Sequence, residues 1–264
     1  MWETLIVNPF TNILLMIYKL VGSGPEAFGV AIILFTILIR LITHPLMASQ
    51  IKGSAKMQEM QNSKEWQDIQ KKYKDDKEKL AQEQMKHYKE IGYNPFSSCL
   101  PTMLQLPIMF ALYQSVVRAI AATPLQLLIL QKAVYNFFDL PGTVPVNSQF
   151  LWMNLGQPER VYIFGVAIPV LAILAAVTTY IQTKVTTPTS SNPNDQSAAM
   201  AKSMGLYMPL MMAWITYTLA SGLAVYIIIG NFLSIGQYAL LGKVNWNALL
   251  PGKKPDTKQL ARKK

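Results

Sequence analysis

Residues 27–47 read AFGVAIILFTILIRLITHPLM, and this stretch decides the fold. Its one formal charge is Arg40. About 20 apolar residues, at 1.5 Å rise each, cross a hydrocarbon core of about 30 Å. Three more charge-free runs follow: 94–117, the residues between Arg160 and Lys184, and the 40 residues between Lys202 and Lys243. The last is long enough for two spans and divides at Ser221–Gly222. The runs are continuous and rich in Leu, Ile, Met and Ala, unlike the ten-residue alternating segments of a membrane barrel. Pro107, Pro169 and Pro209 fall within them, where membrane helices tolerate proline. The reading is an all-α integral membrane protein with five transmembrane helices.

The composition of the whole chain agrees. Of 264 residues, 51% are hydrophobic and 14% charged, with a net charge of +10. An average soluble domain carries roughly 25% charged residues. This argues against an ordinary water-soluble enzyme and against a disordered chain. One Cys forbids an intrachain disulfide, and two His beside it make a metal cluster unexpected. No cofactor is implied.

Charge distribution sets the orientation. Residues 50–92 hold ten Lys, residues 242–264 hold six Lys and one Arg, and residues 183–203 add Lys184 and Lys202. These segments face the cytoplasm by the positive-inside rule. Five spans then place the N-terminus outside and the C-terminus inside. The predicted layout is an extracytoplasmic amphipathic helix in 1–26; spans at 27–49, 94–118, 158–184, 204–220 and 222–241; a cytoplasmic helical hairpin at 50–92; an extracytoplasmic segment at 119–155; a cytoplasmic loop at 185–203; and a basic cytoplasmic tail at 242–264. Phe10, Ile13, Leu14 and Ile17 share one face of the first helix, which is expected to lie on the outer interface. Residues 1–18 show neither a basic n-region nor a small-residue cleavage site, so no cleaved signal is expected there.

The hairpin is read as one short helix near 51–60 and one longer helix from Trp66 to Ile91, opened by a capping box from Asn62 to Glu65. Asp68–Lys72 and Glu83–His87 are spaced to pair along it. Its length exceeds the usual helix connector, which favours a docking arm for a cytosolic partner. Trp66, Tyr73, Lys71, Lys72, Lys77 and Lys79 are the candidate docking residues. In the tail, Lys253, Lys254, Lys258, Arg262, Lys263 and Lys264 suit either ribosomal RNA phosphate or anionic lipid.

Arg40 is the sharpest feature. A charged residue at the centre of a span costs about 2.5–3.5 kcal/mol on insertion scales. The cytoplasmic interface is expected about ten residues further on, roughly 15 Å at helical rise, beyond the reach of a snorkelling side chain. Arg40 is therefore expected to face a wet cavity, and the charge-free runs contain no carboxylate to neutralise it. Thr36 lies four residues earlier on its face. Gln105, Asn231, Ser234 and Gln237 are uncharged polar residues in other spans. Each alone reads as interhelical glue; together with Thr36 and Arg40 they are candidates to line a hydrophilic groove.

Longer motifs carry a resemblance. Residues 57–113, MQEMQNSKEWQDIQKKYKDDKEKLAQEQMKHYKEIGYNPFSSCLPTMLQLPIMFALY, resemble the signature of the YidC/Oxa1/Alb3 family of membrane protein insertases. FTILIRLITHPL (35–46) resembles the family's first core span with its groove arginine, which falls on Arg40. FLWMNLGQPE (150–159) and SGLAVYIIIGNFLSIGQ (221–237) resemble the stretches before the third core span and in the last span. The similarity runs in order from about Asn8 to Leu241, in the five-span form. Ile227 stands where Trp is usual, Gly230 where Ser is usual, Ala220 where some members have Pro, and Asn62–Ser63 where Pro is frequent. These departures are expected to touch helix packing and turn shape and put neither the groove nor Arg40 in doubt.

The resemblance implies an insertase and chaperone of the prokaryotic plasma membrane, not an enzyme. It would insert nascent membrane proteins through a groove open to cytoplasm and lipid, with or without the Sec translocon. The implied partners are nascent membrane proteins, the ribosome, the Sec translocon and membrane lipids, without DNA. A small anion transporter or channel subunit is the alternative, although no inverted repeat is visible.

Overall fold

A computed structural model describes residues 1–22, 24–61, 63–73, 76–90, 100–135, 146–187 and 196–249. It is predominantly helical. A π turn, Glu3–Val7, leads into α1 (Asn8–Val21). Then come α2 (Ala27–Gln61), α3 (Lys64–Lys72), α4 (Lys77–Glu90), α5 (Leu100–Ile120), α6 (Pro124–Ala133), α7 (Val170–Thr186), α8 (Gln196–Thr218) and α9 (Ser221–Leu240). Two short antiparallel ribbons precede α7: β1 (Gln149–Phe150) with β2 (Met153–Asn154), and β3 (Val161–Ile163) with β4 (Val166–Ile168).

Among the described residues, Glu3–Val21, Ala27–Met57 and Ser221–Leu240 are helices long and apolar enough to cross a membrane. Gln105–Ile120 and Pro124–Ala133 qualify together but are bent by 116°. Thr123 and Gln126 form a capping box with Pro124 in the first turn, so a new helix starts there rather than the old one continuing. The expected span at 158–184 is shorter than read. Residues 161–168 form the β3–β4 ribbon, and α7 begins only after Pro169. The expected span at 204–220 overlaps α8, which starts earlier, at Gln196, and ends at Thr218.

The chain divides into two compact units. The first comprises Met1–Ile42, Leu104–Thr179 and Pro209–Leu233, taking the described residues. Its core joins Leu14 and Tyr18 of α1, Phe28, Ile32 and Phe35 of α2, Met109 and Leu112 of α5, Leu130 of α6, and Leu223 and Tyr226 of α9. Lipid tails are as apolar as Leu, so close packing rather than water exclusion must hold such helices together. Ala31, Ala111, Ala119, Ala175 and Ala224 are buried, and these small side chains allow the backbones to approach.

Here α1 differs from expectation. Phe10, Ile13, Leu14 and Ile17 share a face as read, but that face packs on the protein core. Phe10 meets Phe35 edge-on at 5.2 Å, and Tyr18 meets Phe28 at 5.8 Å. Buried Asn12 donates to the Ala133 carbonyl at 3.0 Å and accepts from the Tyr135 N–H at 3.0 Å, tying α1 to the end of α6. An apolar stripe announces burial without specifying the partner.

The β1–β2 segment locks the start of α9. The Ser221 and Gly222 N–H groups donate to the Gln157 and Leu155 carbonyls at 2.8 and 3.0 Å, and the Ser221 hydroxyl donates to Asn154 O at 2.7 Å. These bonds satisfy donors that a helix start otherwise leaves orphaned. Buried Glu159 accepts from the Leu171 N–H at 3.1 Å, placing an anion at the start of α7. The Phe150 ring fills the space left by Gly29.

The second unit takes the described residues of 43–103, 180–208 and 234–249. Ile51, Val185, Tyr238 and Val244 form its small core. The first span and the first hairpin helix expected from sequence are one continuous helix, α2. The long second hairpin helix is two, α3 and α4. Ser63, not Asn62, caps α3 by accepting from the Trp66 N–H at 3.2 Å. Asn62 lies outside the described residues. His87 lies 3.9 Å from Glu90, one helical turn on.

A Cβ at Gly222 would come within 3.0 Å of Val116 Cγ1, 3.1 Å of Leu155 O and 3.2 Å of Ile32 Cδ1. Gly222→Val therefore overpacks the seam between α9, α5 and α2. A loss of about 1–3 kcal/mol is expected, read as a lower Tm of the protein in detergent.

Candidate functional site

Residues four apart on a helix share a face. Thr36 and Arg40 do so on α2, and Tyr226 and Gly230 do so on α9. The first unit brings these two faces together. Arg40 is half-buried, and its guanidinium lies against the α9 backbone. A Cβ at residue 230 would sit 3.0 Å from Arg40 Nη2 and 3.8 Å from Nε. Glycine is what leaves room for the cation there. Arg40 and the Tyr226 phenol also interact electrostatically.

Tyr226 is 2% exposed, and its hydroxyl accepts from Gln105 Nε2 of α5 at 2.8 Å. The Thr36 hydroxyl donates to the Ile32 carbonyl at 2.7 Å, so its proton serves its own helix. Asn231 donates to the Thr178 and Thr179 hydroxyls of α7 at 3.1 and 2.9 Å. Thr178 in turn donates to Leu174 O at 2.8 Å. Three elements thus face α9 with polar groups: Arg40 from α2, Gln105 from α5, and the threonine pair from α7. Arg40 is the cation of this layer, able to attract a carboxylate, while the amides and hydroxyls can exchange hydrogen bonds with a polar backbone.

Tyr226 and Gly230 were missed as site residues by sequence reasoning. Gly230 was visible as a departure from the family pattern. That departure lies where α9 meets the guanidinium, since a Cβ at residue 230 would sit 3.0 Å from Arg40 Nη2. Tyr226 reads as one apolar residue among many in the run AVYIII.

Ser234 and Gln237 belong to the second unit. Both are buried, and Gln237 Nε2 lies 3.3 Å from His44 Nδ1. The docking candidates also fall in this unit and divide into two kinds. Trp66 is 1% exposed, held between α3 and α4 against Tyr88 at 5.4 Å and His87 at 6.1 Å. It is corrected here from a docking residue to the packing residue of the hairpin. Lys71, Lys72 and Lys79 are exposed, Tyr73 is half-buried beneath the Lys72 ammonium at 5.3 Å, and Lys77 opens α4. The tail candidates Lys253, Lys254, Lys258, Arg262, Lys263 and Lys264 lie outside the described residues.

Asp76 caps α4. Its Oδ1 accepts from the Lys79 N–H at 3.1 Å, and this bond, assisted by the Lys79 ammonium, holds the carboxyl pKa below its ordinary value. A depressed carboxyl stabilises the fold above its unfolded pKa and loses that contribution as pH falls through the folded one. The Lys79 amide chemical shift should therefore titrate with a midpoint below the ordinary Asp range, and Asp76→Asn should abolish that titration. At the polar layer, Gly230→Val should lower stability by about 1–3 kcal/mol. The loss should largely vanish in an Arg40→Ala background, because the added methyls then meet no guanidinium. Paired Tm measurements check this.

Residues 16–247 match the model of the family described as 60Kd inner membrane protein. The chain is similar to the membrane protein insertase YidC of Clostridium tetani, at 35% identity over 242 residues, covering 90% of this chain and 93% of that one. It is 33% identical over 248 residues to the membrane protein insertase YidC of Oceanobacillus iheyensis, with 92% and 84% covered. It is 31% identical over 244 residues to the membrane protein insertase MisCA of Bacillus subtilis, with 91% and 78% covered.

Proposed function

The chain belongs to the 60Kd inner membrane protein family, and on that premise we propose that it inserts nascent membrane proteins through a hydrophilic groove centred on Arg40. It is a multi-pass protein of the cell membrane whose relatives are named membrane protein insertases. Thr36, Gln105 and Asn231 contribute the groove's polar lining beside the cation. The observation that carries this reading is the position of Arg40, a half-buried cation on an apolar helix, seated against the side-chain-free backbone at Gly230.

A short acidic or polar segment of a nascent chain would otherwise cross bare hydrocarbon. Arg40 attracts its carboxylates for the duration of the crossing. The neighbouring apolar helix of the substrate then partitions into lipid, and that transfer supplies the driving force. The groove opens to cytoplasm and lipid, the N-terminus is outside, and the C-terminus is inside. The exposed hairpin lysines receive substrate on the cytoplasmic side. The basic tail meets the ribosome, and the protein works with or without the Sec translocon.

Insertion of an acidic-tailed substrate into proteoliposomes tests the role of the charge. Arg40→Lys should retain most of the activity, whereas Arg40→Ala should lose several-fold. Equal activity of the two variants overturns a role for the charge.

A further inference from the structure

Among the described side chains, neither the core nor the polar layer makes use of the ribbon that precedes α7. Its strands pair Val161 with Ile168, Tyr162 with Ala167 and Ile163 with Val166, and the chain turns at Phe164–Gly165. Phe164 has φ +50° and Gly165 φ +80°, the paired left-handed conformation of a tight hairpin turn. A side chain at the first of these positions is disfavoured, and Asn is the usual occupant. The residue here is an aromatic whose ring touches almost nothing in the protein: Phe164 is 102% exposed and Tyr162 70%. Residues 161–169, VYIFGVAIP, carry no charge. A lone two-stranded hairpin with a bare aromatic tip is marginal in water.

Covalent continuity says what covers it. Only Pro169 separates β4 from α7. Ile173, Leu174 and Val177 on α7 are exposed large apolar residues, as a lipid-facing stripe requires. The 17 residues of α7 reach about 25 Å, less than the roughly 30 Å hydrocarbon core. A membrane helix this short does not clear the hydrocarbon core, so with α7 in the membrane a ribbon joined to its N-terminal end by Pro169 alone is held at the boundary. The open strand edges keep the ribbon out of the hydrocarbon itself. The interfacial zone wets such edges and is also where aromatic rings settle.

We infer that the β3–β4 ribbon is a membrane anchor, with Phe164 and Tyr162 inserted into the interfacial zone of the phospholipid bilayer at the N-terminal end of α7. This rests on α7 being a membrane helix, and the test separates the two. In a Cys99→Ser background, nitroxide labels are placed singly at Phe164→Cys, Ile173→Cys and Lys86→Cys. The full chain is reconstituted into vesicles of phosphatidylethanolamine and phosphatidylglycerol. Collision with oxygen, which partitions into lipid, is compared with collision with a water-soluble nickel chelate.

Positions 164 and 173 should favour oxygen, with 164 shallower, while position 86 should favour nickel. Nickel-dominated collisions at 164 with oxygen-dominated collisions at 173 overturn the anchor and leave α7 in the membrane. Nickel dominance at both overturns both. Collision with neither reagent at 164, together with crosslinking to another protein, also overturns the anchor. Because the label replaces the ring, a second variant reads the ring directly. Phe164→Asn suits the turn, so Tm in detergent should hold or rise, while a label at Tyr162→Cys should move toward water in vesicles. An unmoved label at 162 overturns the role of Phe164.

Discussion

The Arg40 guanidinium can lie where it does only because α9 carries no side chain at residue 230. A cation in a membrane helix is costly unless protein groups or water surround it. Here the bare backbone of Gly230 leaves room for it where a Cβ would come within 3.0 Å of Nη2, with a phenol in electrostatic range. The phenol is itself held by Gln105, so a polar side chain from a third helix steadies the group that faces the cation. The proposed groove inherits its charge from this arrangement.

The rest of the first unit keeps α2 and α9 at that separation. Gly222 lets α9 pass close to α2 and α5, and the Leu155 and Gln157 carbonyls bind the first N–H groups of α9. Gly29 admits the Phe150 ring against α2. Asn231 bridges to α7 through two threonines, and Glu159 anchors the start of α7. In a solvent that offers no hydrophobic drive between helices, such small-residue seams and interhelical hydrogen bonds supply the specificity.

The helical membrane class was legible in the charge-free runs, since length and continuity exclude a membrane barrel, although the β3–β4 ribbon at 161–168 shows that such a run can still hold short strands. Element boundaries were less so. The switch from apolar to polar composition near Gln50 looked like a helix end, yet α2 runs through it, and through Pro45, to Gln61. Asn62 and Ser63 are both good caps, and adjacent candidates cannot be ranked by propensity. Arg40 stood out because a lone charge in an apolar run needs a reason. Tyr226 and Gly230 did not, because a phenol and a glycine are ordinary in membrane helices and gain meaning only from what faces them. Trp66 misled for the opposite reason: a large aromatic in a charged segment suits a docking surface and a hairpin core equally well.

The central claim is that nascent chain passes beside Arg40. Photocrosslinking of a stalled, acidic-tailed nascent membrane protein tests it most directly, with photoreactive residues at positions 105 and 231 and, for comparison, at the exposed Phe110 of α5. Crosslinks from the acidic segment at 105 and 231 that exceed those at 110 are the predicted result. Absence of crosslinks at 105 and 231, or equal crosslinking at all three positions, would contradict it.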